Sequence, residues 1–107
     1  MKLFVYGTLK LGYCNHRVLG DAVFLGNFTT APVYSMYDLG LYPSVSLEGT
    51  TAIVGEVYEI SDLTSVDMLE GYPTFYNRSE IETIFGLAWI YHYVPMHGDI
   101  IANGFWK

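Results

Sequence analysis

Residues 51–60 read Thr-Ala-Ile-Val-Gly-Glu-Val-Tyr-Glu-Ile, and the fold class follows from how this stretch alternates and where it stops. Side chains of a strand point to opposite faces in turn. That places Ile53, Gly55, Val57 and Glu59 on one side, with Ala52, Val54, Glu56, Tyr58 and Ile60 on the other. The pattern predicts a half-buried strand. Ser61 and Asp62 follow at once, and both are residue types that accept hydrogen bonds from the first amides of a helix. A short helix is therefore expected to run to about Glu70. Gly71 supplies its stop and Pro73 forbids continuation.

Upstream, Lys2–Tyr6 is a predicted strand with apolar residues on both faces, which marks it as interior. Asn15–Leu19 is expected as a helical turn ending at Gly20. Ala22–Thr29 is expected as a second strand with a bulge at Gly26. Tyr34–Tyr37 is a further extended piece closed by the turn Asp38-Leu39-Gly40. Downstream, Tyr76–Phe85 and Leu87–Val94 are predicted to pair as a hairpin across Gly86. The tail from Ile100 to Lys107 is apolar enough to dock as a last extended segment. Six or seven short strands with one or two flanking helices make an α+β protein, with residues 1–107 forming one domain. Strands apolar on both sides, with few helices to cover them, favour a small mixed β-barrel.

Composition narrows the function. Apolar residues make up 51% and charged residues 15%, which excludes a disordered chain. Five basic residues face eleven acidic ones, a net charge of −6, so no basic stripe exists to follow a nucleic-acid backbone. No apolar run is long enough to cross a bilayer and the one cysteine, Cys14, has no partner within the chain. The expectation is a soluble cytoplasmic protein without a membrane or nucleic-acid partner. Ten tyrosines suit a tyrosine-lined pocket, and equally suit strand packing.

Two pieces stand out chemically. At about 100° per residue, Leu63, Val66, Asp67 and Glu70 share one arc of the predicted helix. Glu70 on that arc is desolvated and its pKa raised, as suits a proton acceptor; at a helix end it can equally bend to solvent. The Tyr6-Gly7-Thr8-Leu9 stretch turns directly after a strand, and successive amides in such a turn can cradle an anion. It is not a phosphate loop, lacking the second glycine and the Lys-Ser/Thr pair. His16, His92 and His97 lack metal-ligand spacing, so no metal or cofactor is expected; His92 reads as a packed or rim residue. Cys14 lies beside His16 and Arg17 in sequence but reads as a buried or idle thiol. Arg78 is free to pair with Asp67, with Glu70 or with a substrate carboxylate.

Taken in order, Val5-Tyr6-Gly7-Thr8-Leu9, Leu41-Tyr42-Pro43, Val54-Gly55-Glu56-Val57-Tyr58, Leu69-Glu70-Gly71-Tyr72-Pro73 with Tyr76-Asn77-Arg78, and Ala88-Trp89-Ile90-Tyr91 resemble the γ-glutamylcyclotransferase-like family across nearly the whole chain. The resemblance implies a small mixed barrel and release of 5-oxoproline from a small-molecule γ-glutamyl compound without a cofactor. It implies Glu70 as general acid/base, with Tyr6, Gly7, Thr8 and Leu9 binding the glutamyl moiety and Tyr76 near the pocket. The alternative is a non-catalytic module that binds γ-glutamyl compounds on the same scaffold.

Overall fold

The computed structural model describes residues 1–107. Its strands are β1 (Lys2–Val5), β2 (Val23–Thr29), β3 (Tyr34–Asp38), β4 (Pro43–Thr51), β5 (Val54–Glu59), β6 (Asn77–Thr83), β7 (Gly86–His92) and β8 (Asp99–Ile100). One α-helix, α1 (Thr64–Glu70), follows β5, and a single 3-10 turn covers His16–Leu19. Five strands form a mixed sheet in the order β2-β5-β1-β7-β6, and three form an antiparallel sheet in the order β4-β3-β8.

β1 is the middle strand of the larger sheet. It runs antiparallel to β5, with Leu3 opposite Tyr58, and parallel to β7, with Leu3 opposite Trp89. Its alternation explains the layering. Leu3 and Val5 face α1, packing with Tyr58, Leu63, Val66 and Tyr91. Phe4 and Tyr6 face the smaller sheet, packing with Met36, Val45, Val57 and Ile90. Leu3 and Phe4 are both almost wholly buried, so the strand has no solvent face.

The single curled barrel expected from the sequence is replaced by these two separate sheets, which do not close on one another. Two-sided burial comes instead from a helix on one face and a second sheet on the other. There are eight strands rather than six or seven. The one missed is β4, whose Pro43-Ser-Val-Ser-Leu-Glu-Gly-Thr-Thr lacks a continuous apolar pattern and begins with proline, tolerated at the first strand position. The stretch 51–60 is also cut, because Thr51 ends β4 and β5 starts only at Val54.

Other expectations hold closely. The register of β2 against β5 shifts between Phe24 and Gly26, the anticipated bulge. Asp62 accepts the Thr64 N–H at 2.9 Å, and Gly71 ends α1 at φ 67°, ψ 34°. In the hairpin, Thr83 pairs with Gly86, so the turn itself is Ile84-Phe85. The tail docks through a turn rather than an extended run: Ile101 donates to the Met36 carbonyl and the Gly104 carbonyl accepts from Val54 N–H. Lys10 donates to the Trp106 carbonyl at 2.7 Å, with the Phe105 ring 4.0 Å from the ammonium.

Packing on both faces makes the central strands sensitive to cavities. Ile90→Ala, at a site with no exposed surface, is expected to cost about 2–5 kcal/mol. Met68→Ala, on the exposed side of α1, should change stability by less than ~0.5 kcal/mol. Urea denaturation midpoints at constant slope test both.

Candidate active site

The chain leaves β1 into a turn, and α1 ends at Glu70. These two ends meet. A cavity of about 370 Å³, partly open to solvent, lies between them, walled by Tyr6, Gly7, Thr8 and Leu9 on one side and by Glu70, Tyr76 and Pro43 on the other. All six residues singled out from the sequence line it. Their separation in the chain is bridged by the neighbouring positions of β1 in the sheet and α1 on its face.

The turn is held from outside, leaving its inner edge free. Lys10 N–H donates to the Gly7 carbonyl and closes it. Asn15 grips Thr8 twice, its amide N–H donating to the Thr8 carbonyl and its side chain donating to Thr8 Oγ1, each at 3.0 Å. His16 Nδ1 lies 2.9 Å from the Leu9 carbonyl, while the Leu9 side chain is anchored in the core. The N–H groups of Gly7, Thr8 and Leu9 lie outside the strand ladder and donate to no backbone carbonyl. Three successive unpaired donors beside a cavity form a concavity suited to an anion. Gly7 is needed for a steric reason: a Cβ there would sit 2.7 Å from the Pro43 ring.

Glu70 is half-buried on the same arc of α1 as the buried Leu63 and Val66. It does not bend away to solvent. Burial alone pushes its carboxyl up from 4.5 to about 7. No cation relieves it, because Arg78 is engaged elsewhere. Arg78 makes two hydrogen bonds to Asp67, at 2.9 and 3.2 Å, and its guanidinium stacks between the rings of Tyr72 and Trp89. The Tyr91 hydroxyl donates to the same Asp67 carboxylate. Asp67, one turn before Glu70, therefore fastens α1 to the β6–β7 hairpin and is not a second acid/base.

The two tyrosines of the cavity have committed hydroxyl protons. Tyr6 donates to the Tyr91 carbonyl at 2.7 Å, and Tyr76 donates to the Pro43 carbonyl at 2.8 Å. Burial, together with the nearby Glu70, raises the pKa of each, so both stay neutral. Toward the cavity their oxygens offer lone pairs rather than protons. Tyr42 and Pro43 complete the wall. Sequence reasoning noted these two only as part of a motif, since nothing in their local pattern shows that β4 brings them across the site.

The remaining candidates lie apart. His92 is partly buried, its Nε2 lying 2.9 Å from Ser79 Oγ on the β6–β7 hairpin, and burial lowers its pKa. Cys14 is exposed rather than buried, because the short loop before the 3-10 turn carries it on the surface. No helix is long and apolar enough to cross a membrane.

A small α+β protein whose desolvated carboxylate confronts a row of free amides defines a class of sites able to move a proton beside a bound anion. The chain belongs to the gamma-glutamyl cyclotransferase, AIG2-like family, whose model matches residues 3–107. A Vibrio cholerae relative, named provisionally as a gamma-glutamylcyclotransferase, is 45% identical over 108 residues, covering 97% of this chain and 93% of its own. The gamma-glutamylcyclotransferase family protein YtfP of Escherichia coli K12 is 36% identical, covering 99% of this chain and 96% of its own. In fold, a mouse AIG2-like protein superposes with a TM-score of 0.83 at 24% identity, covering 99% of this chain and 87% of that one.

The raised pKa of Glu70 has a thermodynamic consequence. Between pH 4.5 and about 7 the folded protein holds a proton that the unfolded chain has released. Stability is therefore fully present below that window and falls as pH rises through it. Glu70→Gln removes this slope. The variant should match the wild type near pH 4 and exceed it above pH 7, by on the order of 2–3 kcal/mol less what partial exposure lets water recover. Urea unfolding of both proteins across that range tests it.

Proposed function

We propose that residues 1–107 act as one catalytic domain that cyclises a γ-glutamyl compound, releasing 5-oxoproline and a free amine. The observation that carries this reading is the unpaired, desolvated carboxylate of Glu70 across the cavity from the free amides of residues 7–9. Those amides bind the α-carboxylate of the glutamyl moiety or the oxygen that becomes negative as the γ-carbonyl is attacked. They suit an acidic protein, since the donors are backbone and no basic side chain is required.

The nucleophile is the substrate's own α-amine. As an ammonium it cannot attack, and Glu70 in its carboxylate form takes its proton. The amine nitrogen then bonds to the γ-carbonyl carbon, closing a five-membered ring, and the carbonyl electrons move to its oxygen. As they return, the bond to the amide nitrogen breaks, and Glu70 passes the proton to that departing nitrogen. A carboxyl titrating near 7 serves both transfers, because proton exchange is best when the group's pKa lies near the working pH. Holding amine and carbonyl in a near-attack pose supplies on the order of 7–11 kcal/mol of the barrier. The tyrosine oxygens of Tyr6 and Tyr76, acceptors only, are suited to orient the ammonium before it loses its proton.

Glu70→Gln keeps size and polarity but cannot accept the proton. Its kcat/KM for 5-oxoproline release should fall by about 10²–10⁴. The wild-type rate should rise with pH through an apparent pKa of about 7. Unchanged turnover in the variant would remove Glu70 as the base. Binding of γ-glutamyl compounds by the wild type without any 5-oxoproline formed would turn the reading to a binding module. Gly7→Val, whose side chain meets Pro43, should weaken binding more than Thr8→Val, which removes a hydroxyl alone; calorimetry on the folded variants compares them.

A further inference from the structure

Beyond the cavity already described lies a second, wider one, about 860 Å³ including its open mouth. Thr8, Tyr42, Glu70 and Tyr76 belong to both, so the two meet at the Glu70 carboxylate. The outer cavity is otherwise walled by Leu41, Leu69 and Phe75, with Cys14 and Asn15 at its edge. Leu41 is 85% exposed and Phe75 42%, apolar surface that the core does not use. No lysine, arginine or histidine lines it.

We infer that this outer cavity is the leaving-group subsite, and that it selects γ-glutamyl amides of uncharged, apolar amines over γ-glutamyl amino acids, whose departing half carries a carboxylate. The inference rests on the cyclotransferase reading. With the glutamyl moiety against the 7–9 amides and its γ-carbonyl beside Glu70, the substituent on the amide nitrogen points to the cavity that Glu70 shares. An alkyl or aromatic substituent there covers Leu41, Leu69 and Phe75, and an aromatic one gains an edge or face contact with Phe75. A carboxylate there finds no cation, sits near the Glu70 carboxylate and enters a protein of net charge −6, which costs desolvation and repulsion together. Leu41, Leu69 and Phe75 are thus specificity-determining residues.

The test compares γ-glutamyl-isoamylamide and γ-glutamyl-phenethylamide with γ-glutamylglycine and γ-glutamylglutamate. In the wild type, kcat/KM for the two amides should exceed that for the two dipeptides at least about tenfold, the scale set by apolar groups in apolar pockets. Leu41→Arg, at a largely exposed position, should shrink that ratio by a similar factor by offering a cation to the dipeptide carboxylate. Leu69→Arg should act in the same direction from the helix side. Calorimetry of the four compounds on Glu70→Gln reads the subsite without turnover. Equal affinities and equal kcat/KM across the panel would overturn the subsite while leaving the reaction intact. Tighter binding of the apolar amides with no 5-oxoproline from any compound would overturn the reaction and uphold the subsite. Failure of all four to bind would overturn both.

Discussion

The organising constraint of this protein is that β1 must be dry on both sides. A strand reading Lys-Leu-Phe-Val cannot face water on either surface without exposing a row of large apolar groups, so it takes the centre of the larger sheet. One helix suffices for the side carrying Leu3 and Val5, and the small β4-β3-β8 sheet covers Phe4 and Tyr6. Because β1 lies at the centre, the turn that follows it opens at the heart of the fold rather than at an edge. The helix that covers it ends over the same spot. The site is thus a by-product of the layer arrangement: covering β1 sets α1 on the sheet, and α1 carries Glu70 to the free amides of the turn.

A functional group that is hard to ionise weakens the fold that holds it, and Glu70 is such a group. The surroundings compensate through neighbours that do no chemistry. Asp67, one turn earlier, is fully satisfied by Arg78 and Tyr91, and Arg78 is in turn held between two aromatic rings. Removing one member of a partly buried pair leaves the other charge uncompensated. This network holds the helix in place, so Glu70 is kept at the cavity without a partner of its own. The same division appears in the turn, where Asn15 and His16 take the outward groups and leave the inward amides unpaired.

Much of this was legible in the sequence. The interior character of β1, the bulge at Gly26, the cap at Asp62 and the stop at Gly71 each follow from a local rule that tertiary packing did not override. The orientation of Glu70 followed from helical spacing, although spacing alone left a solvent-facing alternative open. What escaped was non-local. β4 carries serines and a glycine where a strand reader looks for alternating apolar residues, and its pairing with β3 holds it in place. Closure into a barrel is a property of how sheet edges meet, on which the period of individual strands is silent. The partner of Arg78 depended on which face β6 presents to α1.

The clasp between Lys10 and Trp106 bears on the order in which this molecule can be made. The loop leading out of the amide turn is held by a residue nearly a hundred positions later, since Lys10 gives its proton to the Trp106 carbonyl and the Tyr13 hydroxyl reaches the same oxygen. β1 likewise finds its neighbours only in β5 and β7. During synthesis the first strand emerges with nothing to pair with, and it waits for almost the whole chain before its sheet exists. Until then its apolar faces are open to other chains and to chaperones. A growing chain therefore has no stage at which a partly built site can work: the carboxylate, the amides and the clasp come into being together, after translation has passed residue 106.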